Sequence, residues 1–272
     1  MSNFINNNNV LTVKTVQISP VRTLMTALKD ILLETNITFT PQGIKIINMD
    51  KSHTILAHLN LKAENFEYFE CNQEKIIIGV NMFHLFKLIN SIENDDTLTI
   101  YIEKEDYIDG IVSHLTLKFE NGSIKHCKIQ KLRLIEPEAE ELSYPDVTFS
   151  SIINLPSSDF QKIIRDLSGI SDKLEIKSVG SELIFKCTGQ FAFLELTRAE
   201  TDGNGMGFLK KQEDSKVIQG EFSLKNLGYF IKCTNLCPQI EMYLENDLPL
   251  VVKYDVASLG DIKLCLAPLP TS

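Results

Sequence analysis

At 272 residues, 43% of them hydrophobic, the chain can bury one large core or two medium ones and is too apolar for a disordered protein. No apolar run reaches bilayer-spanning length, and residues 1–9 lack the charged and apolar regions of a secretion signal, so they read as a disordered polar tail on a protein without a membrane partner. The net charge of −9 excludes a uniformly basic nucleic-acid surface, so any phosphate-binding face must come from uneven charge.

Residues 10–18 alternate as a strand. Pro20 then opens a helix at the first-turn position it favours, with Val21, Leu24, Met25, Leu28, Ile31 and Leu32 on one face. Strands are predicted at 37–39, 44–47 and 54–61, with a turn at 41–43. A strand at 75–79 leads into a second helix over 81–91. Strands at 97–103 and 115–119 follow, flanking a loop at 106–110.

From Pro156 the order begins again. Phe160, Ile163, Ile164 and Leu167 trace a helical stripe. Strands follow at 174–178, 183–187 and 191–197, then a glycine-rich loop at 202–207, a helix over 223–232 and strands at 240–244 and 248–254. The last two strands make a hairpin: Leu248, Leu250, Val252 and Tyr254 share one face, and Ile262, Leu264 and Leu266 share one on the return. The halves correspond block by block, as in 97–103 against 239–245. An α+β fold follows, with two similar domains of antiparallel sheets and two helices packed on one face. Residues 10–130 form the first domain and 148–272 the second. The connector at 131–147 has two prolines and a run of acids, and its Leu134, Ile135, Leu142 and Tyr144 predict that it lies on the protein surface.

The helices carry basic pairs: Arg22 and Lys29, His84 and Lys87, Lys162 and Arg165, Lys225 and Lys232. The first and last pairs are seven residues apart and the middle two are three apart, so each pair shares a side of its helix. The second and fourth helices have no Asp or Glu. A solvated amphipathic face explains such pairs singly; four of them in an acidic chain also fit one polyanion, bound at its phosphates without sequence readout.

No catalytic constellation stands out. His53 and His58 are five apart on a predicted strand and so point to opposite faces, and no metalloprotease helix, phosphate loop or nucleophile elbow occurs. Gly203, Gly205 and Gly207 follow a strand without the helix of a phosphate site. The six cysteines read as buried reduced thiols, and Cys233 and Cys237 lack a second Cys/His pair for a metal. No enzyme, cofactor or metal is expected.

Three blocks carry a resemblance: Asn48-Met-Asp-Lys-Ser-His53, Ile164-Arg-Asp-Leu-Ser168, and Asp247-Leu-Pro-Leu-Val-Val252 with a turn at Gly260 and a closing Leu266-Ala-Pro268. Together, and in register over 11–268, they resemble the proliferating cell nuclear antigen family, the sliding clamps of DNA replication. The resemblance implies the DNA clamp fold and a homotrimeric ring around duplex DNA, with sheets outside and helices lining the hole. Such a ring raises polymerase processivity and is closed by a clamp loader. Arg22, Lys29, Lys87, Lys162, Arg165, Lys225 and Lys232 match basic positions of that hole. Thr23, Asn90 and Gly169 replace Lys, Lys and His, implying a less positive lining.

The resemblance also implies a pocket for partner peptides ending in two aromatics, used by polymerases and repair enzymes. Met49, His53 and Leu56, Leu142 and Tyr144, and Pro249, Ala267 and Pro268 match it, with Cys265 where relatives carry an aromatic. Subunits would pair edge to edge through strands at 122–130, with Lys125, Cys127 and Ile129, and 189–197, with Phe191, Phe193 and Glu195. Gly180 replaces a lysine that relatives use for modification. A nuclear location follows, or cytoplasmic replication sites if the asparagine-rich tail marks the AT-rich genome of a large DNA virus. Alternatives are a heterotrimeric checkpoint clamp subunit and a monomeric processivity factor that holds DNA by charge.

Overall fold

The computed structural model describes residues 8–139, 142–144, 147–201, 203, 205–213 and 216–270. Most of the expected tail, Glu140, Glu141, Pro145 and Asp146 of the connector, and Asp202 and Asn204 of the glycine-rich loop lie outside the described residues. Two units separate, one within Met1–Asn48, His58–Leu142 and Ser258–Gly260, the other within Met49–Ala57, Ser143–Ala257 and Asp261–Ser272.

The first unit begins with β1 (Asn9–Thr15), α1 (Ile18–Ile31), β2 (Glu34–Thr40), β3 (Gly43–Met49) and β4 (Ile55–Lys62), whose first residues belong to the other unit. Next come β5 (Tyr68–Cys71), β6 (Ile76–Asn81), α2 (Met82–Ile89) and β7 (Thr97–Glu103). It ends with β8 (Tyr107–Ile108), β9 (Ile111–Val112), β10 (His114–Asn121) and β11 (His126–Arg133). One sheet has the order β11-β10-β7-β1-β5, and another series runs β4-β3-β2-β6.

Pro20 is the third residue of α1, not its first, yet its missing N–H costs nothing because first-turn donors have no partner within the helix. The helix buries Ile18, Val21, Leu24, Met25, Ala27, Leu28 and Ile31, the stripe its 3.6-residue period dictates. Asn81 caps α2 by accepting from the His84 N–H at 3.1 Å, and Met82, Leu85 and Ile89 face the core. Gly43 follows the turn at φ +148°, where a Cβ would collide with the Leu61 carbonyl oxygen.

The second unit contains β12 (Ser151–Pro156), α3 (Ser157–Ser168), β13 (Lys173–Val179), β14 (Glu182–Thr188), β15 (Phe193–Ala199), β16 (Gly207–Lys210) and β17 (Ile218–Ser223). α4 (Leu224–Phe230) follows and tightens into a 3-10 turn, Ile231–Leu236. Then come β18 (Gln239–Leu244), β19 (Leu250–Val256) and β20 (Gly260–Leu266). Its orders are β20-β19-β18-β12-β16 and β15-β14-β13-β17. Apart from the β8–β9 pair these repeat the first unit, with α3 after β12 as α1 follows β1, and α4 after β17 as α2 follows β6. Phe160, Phe185, Phe222, Phe230 and Tyr254 are among its fully buried side chains, each stabilising the fold by about 1.5–3 kcal/mol.

Several expectations need correction. β5, β12, β16 and β17 are additional strands, and the expected loop at 106–110 holds the two-residue strand β8 and a turn at Asp109 and Gly110 with positive φ, leading into β9. The last helix ends at Phe230, with Gly228 in its interior weakening continuation. His53 is not on a strand with His58. It sits in the turn before β4 at φ +54°. Cys127 is exposed, and Cys71 and Cys237 are half-buried.

The start of the connector, Lys131–Arg133, extends β11. Beyond it, Ile135 N–H donates to the Gly79 carbonyl at 3.0 Å, and a Cβ on Gly79 would lie 2.6 Å from the Ile135 carbonyl oxygen. The Asn36 side chain donates to the Glu138 carbonyl at 2.8 Å and accepts from its N–H at 3.0 Å. This stretch therefore lies against β6 and β2.

Candidate nucleic-acid interface and partner-binding surfaces

In the first unit α1 and α2 pack together. Arg22 donates to Asn94 Oδ1 at 2.9 Å and to the Ile92 carbonyl, which fixes its guanidinium beside the loop after α2. Lys29 pairs with Asp30 at 2.8 Å and lies 4.8 Å from the Phe86 ring centre. His84 and Lys87 are exposed, and the Lys87 ammonium stands 4.5 Å from the Phe83 ring centre. Arg22 and Lys29 thus spend part of their charge within the protein, while α2 offers Lys87 and the His84 ring to solvent.

In the second unit α3 packs with α4. Lys162 and Arg165 are exposed on α3, where Asp159 approaches Arg198 at 4.0 Å. Lys225 is exposed in the first turn of α4, which Ser223 caps by accepting from the Asn226 N–H at 3.3 Å. Lys232 belongs to the 3-10 turn, 5.4 Å from the Tyr229 ring centre. Each unit therefore carries four of the eight basic residues on or directly after its helix pair. Neither α2 nor α4 carries an acid.

The residues expected to receive a partner peptide lie beside a carboxylate, Asp50. Asp50 accepts from the backbone N–H groups of Ser52 (3.2 Å), Thr54 (2.8 Å) and Ile55 (2.6 Å). Burial raises its pKa, but these bonds and the Ser52 hydroxyl outweigh it, leaving the carboxyl below its ordinary value. The loop they close holds His53 exposed in its left-handed conformation. Ala267 N–H donates to the Thr54 carbonyl at 2.9 Å, tying the chain after β20 to this loop.

Alongside, Phe149, Val251 and Cys265 form a buried cluster, with Leu56, Tyr144, Tyr243 and Leu248 packed against it. Burial, then the neighbouring Cys265 thiol, pushes the Tyr144 phenol far up, so it stays protonated, with Lys263 4.9 Å from its ring centre. Met49, Ala267 and Pro268 are half-buried, Pro249 is exposed, and Leu142 is half-buried in the first unit. A cavity of about 960 Å³ opens beside Pro268, lined by Lys173, Glu175, Lys186, Leu248 and Leu269 among others. Phe149, Val251 and Tyr243 escape the sequence reading. β19 buries Leu250, Val251 and Val252 in succession, so alternation assigns Val251 to the wrong face.

β11 and β15 each end their sheet order. Ile129 is 59% exposed on β11, where Cys127 is also exposed, and Lys125 precedes the strand at φ +53°. On β15, Phe193 is 62% exposed and Glu195 pairs with Lys186 at 2.8 Å. Phe191, just ahead, is 78% exposed. Exposed apolar side chains on unpaired strand edges are unusual in a monomer, which normally blunts such edges with charge.

Among the described residues, Glu103, Glu105 and Asp106 are the one acidic group close enough to hold a metal ion. The Lys131 ammonium sits 2.7 Å from Asp106 and 3.0 Å from Glu103, compensating that charge. The cluster is a structural ion pair.

A family model described as "Proliferating cell nuclear antigen, N-terminal domain" matches residues 10–141, and one described as "Proliferating cell nuclear antigen, C-terminal domain" matches 143–269. The chain is similar to the "Probable DNA polymerase sliding clamp 1" of Paramecium bursaria Chlorella virus 1, with 32% identity over 266 residues, 96% of this chain and 98% of that protein. It is also similar to the "Probable DNA polymerase sliding clamp" of Acanthamoeba polyphaga mimivirus, with 34% identity over 227 residues. That match covers 84% of this chain but 47% of the mimivirus protein, so the chain spans about half that relative's length.

Proposed function

The chain belongs to the proliferating cell nuclear antigen family, and from that premise we propose that it is a DNA polymerase sliding clamp, a non-enzymatic processivity factor. One observation carries the reading beyond family membership. The fold is written twice with one strand order, and each copy carries four basic residues at its helix pair. Cations on rigid elements suit a sequence-independent phosphate surface.

Three copies form a ring around duplex DNA, each β11 edge pairing with the β15 edge of the next copy. Retention is then topological. Diffuse phosphate contacts let the ring slide, and the acidic remainder of the protein disfavours other paths for DNA. Ring closure on DNA without ends requires a loader. The pocket around Asp50, Tyr144 and Cys265 receives aromatic-ended peptides of the polymerase and of repair enzymes, for which apolar walls with a polar rim are suited. The complex acts where genomic DNA is copied, in the nucleus or at cytoplasmic replication sites.

The test uses linear duplex DNA whose ends are capped with a bulky protein after incubation with the clamp. A ring remains bound in high salt while both ends are capped and is lost once the duplex is cut. Loss in high salt whatever the state of the ends supports a monomer held by charge and overturns the ring.

A further inference from the structure

We propose that Phe83 on α2 is a stacking platform for an unpaired DNA base, with Lys87 and His84 holding the adjoining phosphates. The inference rests on the reading that these helices face DNA and deepens it, adding single-stranded or gapped DNA to the duplex as a ligand. α2 commits Met82, Leu85 and Ile89 to the core, so Phe83 has no place on its buried face and stands 45% exposed. Leaving a phenylalanine in water forgoes stabilisation of about 1.5–3 kcal/mol that burial would give.

The neighbours identify the occupant. Lys87, one turn on, stands 4.5 Å from the Phe83 ring centre, and the His84 ring is 6.5 Å away. α2 carries no carboxylate. An aromatic face beside a lysine and an imidazole and without acids matches a nucleotide, whose base stacks while its phosphate meets the Lys87 charge. Duplex DNA offers phosphates but keeps its base faces stacked, so the ring gains a partner only where a strand is unpaired, as at a primer end or gap. The adjacent Phe86 is half-buried with Lys29 4.8 Å from its centre, so Phe83 is the exposed phenyl ring of this helix.

The measurement is fluorescence anisotropy, at low salt and with the full chain, of a labelled oligo(dT) strand and of a linear duplex with open ends. Phe83→Leu keeps an apolar side chain without a π face, and the exposed position tolerates it. It is expected to weaken oligo(dT) binding by roughly ten- to a hundredfold while duplex binding changes less than about twofold. Lys87→Ala weakens both ligands. The proposal is overturned if Phe83→Leu changes neither affinity or lowers both equally, or if the natural chain binds duplex but not oligo(dT); the DNA-facing reading survives in those cases. A natural chain that binds neither ligand removes that reading and this one together. Loss of polymerase stimulation with both DNA affinities intact assigns Phe83 to a protein partner and overturns the proposal.

Discussion

Single residues divide sharply between those whose place is readable in the chain and those fixed by distant partners. Leu24, Leu28 and Phe160 lie where helical spacing puts them, buried. His53 does not lie where strand spacing puts it, because the Asp50 carboxylate collects three backbone donors and turns the chain before β4 begins. Glu245 is a second such carboxylate. Burial raises its pKa, but bonds from Lys216 (2.8 Å), the Ser150 side chain and backbone, and the Asn246 N–H outweigh this and bring it down to about 2. A folded pKa below the unfolded value of 4.5 stabilises the native state above that pH, and the contribution is lost as pH falls towards about 2. Thermal unfolding of Glu245→Gln against the natural chain is expected to show a Tm gap at pH 7 that closes between pH 4.5 and 2. A gap of constant size across that interval contradicts the assignment.

Elements were legible where one face is apolar and the other polar. α2 and α4 follow strands through capping residues, Asn81 and Ser223, that the chain displays openly. β12 was hidden because its inward face includes Ser151, whose hydroxyl meets that of Ser178 at 2.9 Å in the core, with Gln212 also bonded to Ser178. The four residues of β5 are all half-buried, which leaves no alternation to read. The helices carry the charge prediction. Charge reversal at Lys225→Glu with Lys232→Glu is expected to weaken clamp-stimulated DNA synthesis and to lower the slope of log affinity against log salt by about one per lost phosphate contact. The oligomer's mass remains unchanged, since neither residue lies on β11 or β15. Unaltered synthesis and slope in this variant remove α4 and its 3-10 turn from the DNA surface.

For the whole molecule, the proposed ring joins two different edges, so damage to either should break it differently from damage to both. Ile129→Asp on β11 and Phe193→Asp on β15 each place a charge among exposed apolar side chains. Solution mass should fall from three times 30.8 kDa to 30.8 kDa for each variant alone. Mixed together, the two variants retain one intact pair of edges and should give a species of twice 30.8 kDa, as a head-to-tail interface requires. Recovery of the full trimer from the mixture, or no change in either variant, rules out pairing through these strands.

The doubled order of helices and strands, the two acid-free helices and the basic pairs were all present in the linear chain, because they depend on periods of two and of 3.6 residues that neighbouring side chains record. Strand adjacency was not. It rests on backbone hydrogen bonds between segments far apart in the chain, which leave no mark on composition. Only the folded molecule therefore laid Ile135 against Gly79 and gathered Phe149, Val251 and Tyr243 beside Tyr144.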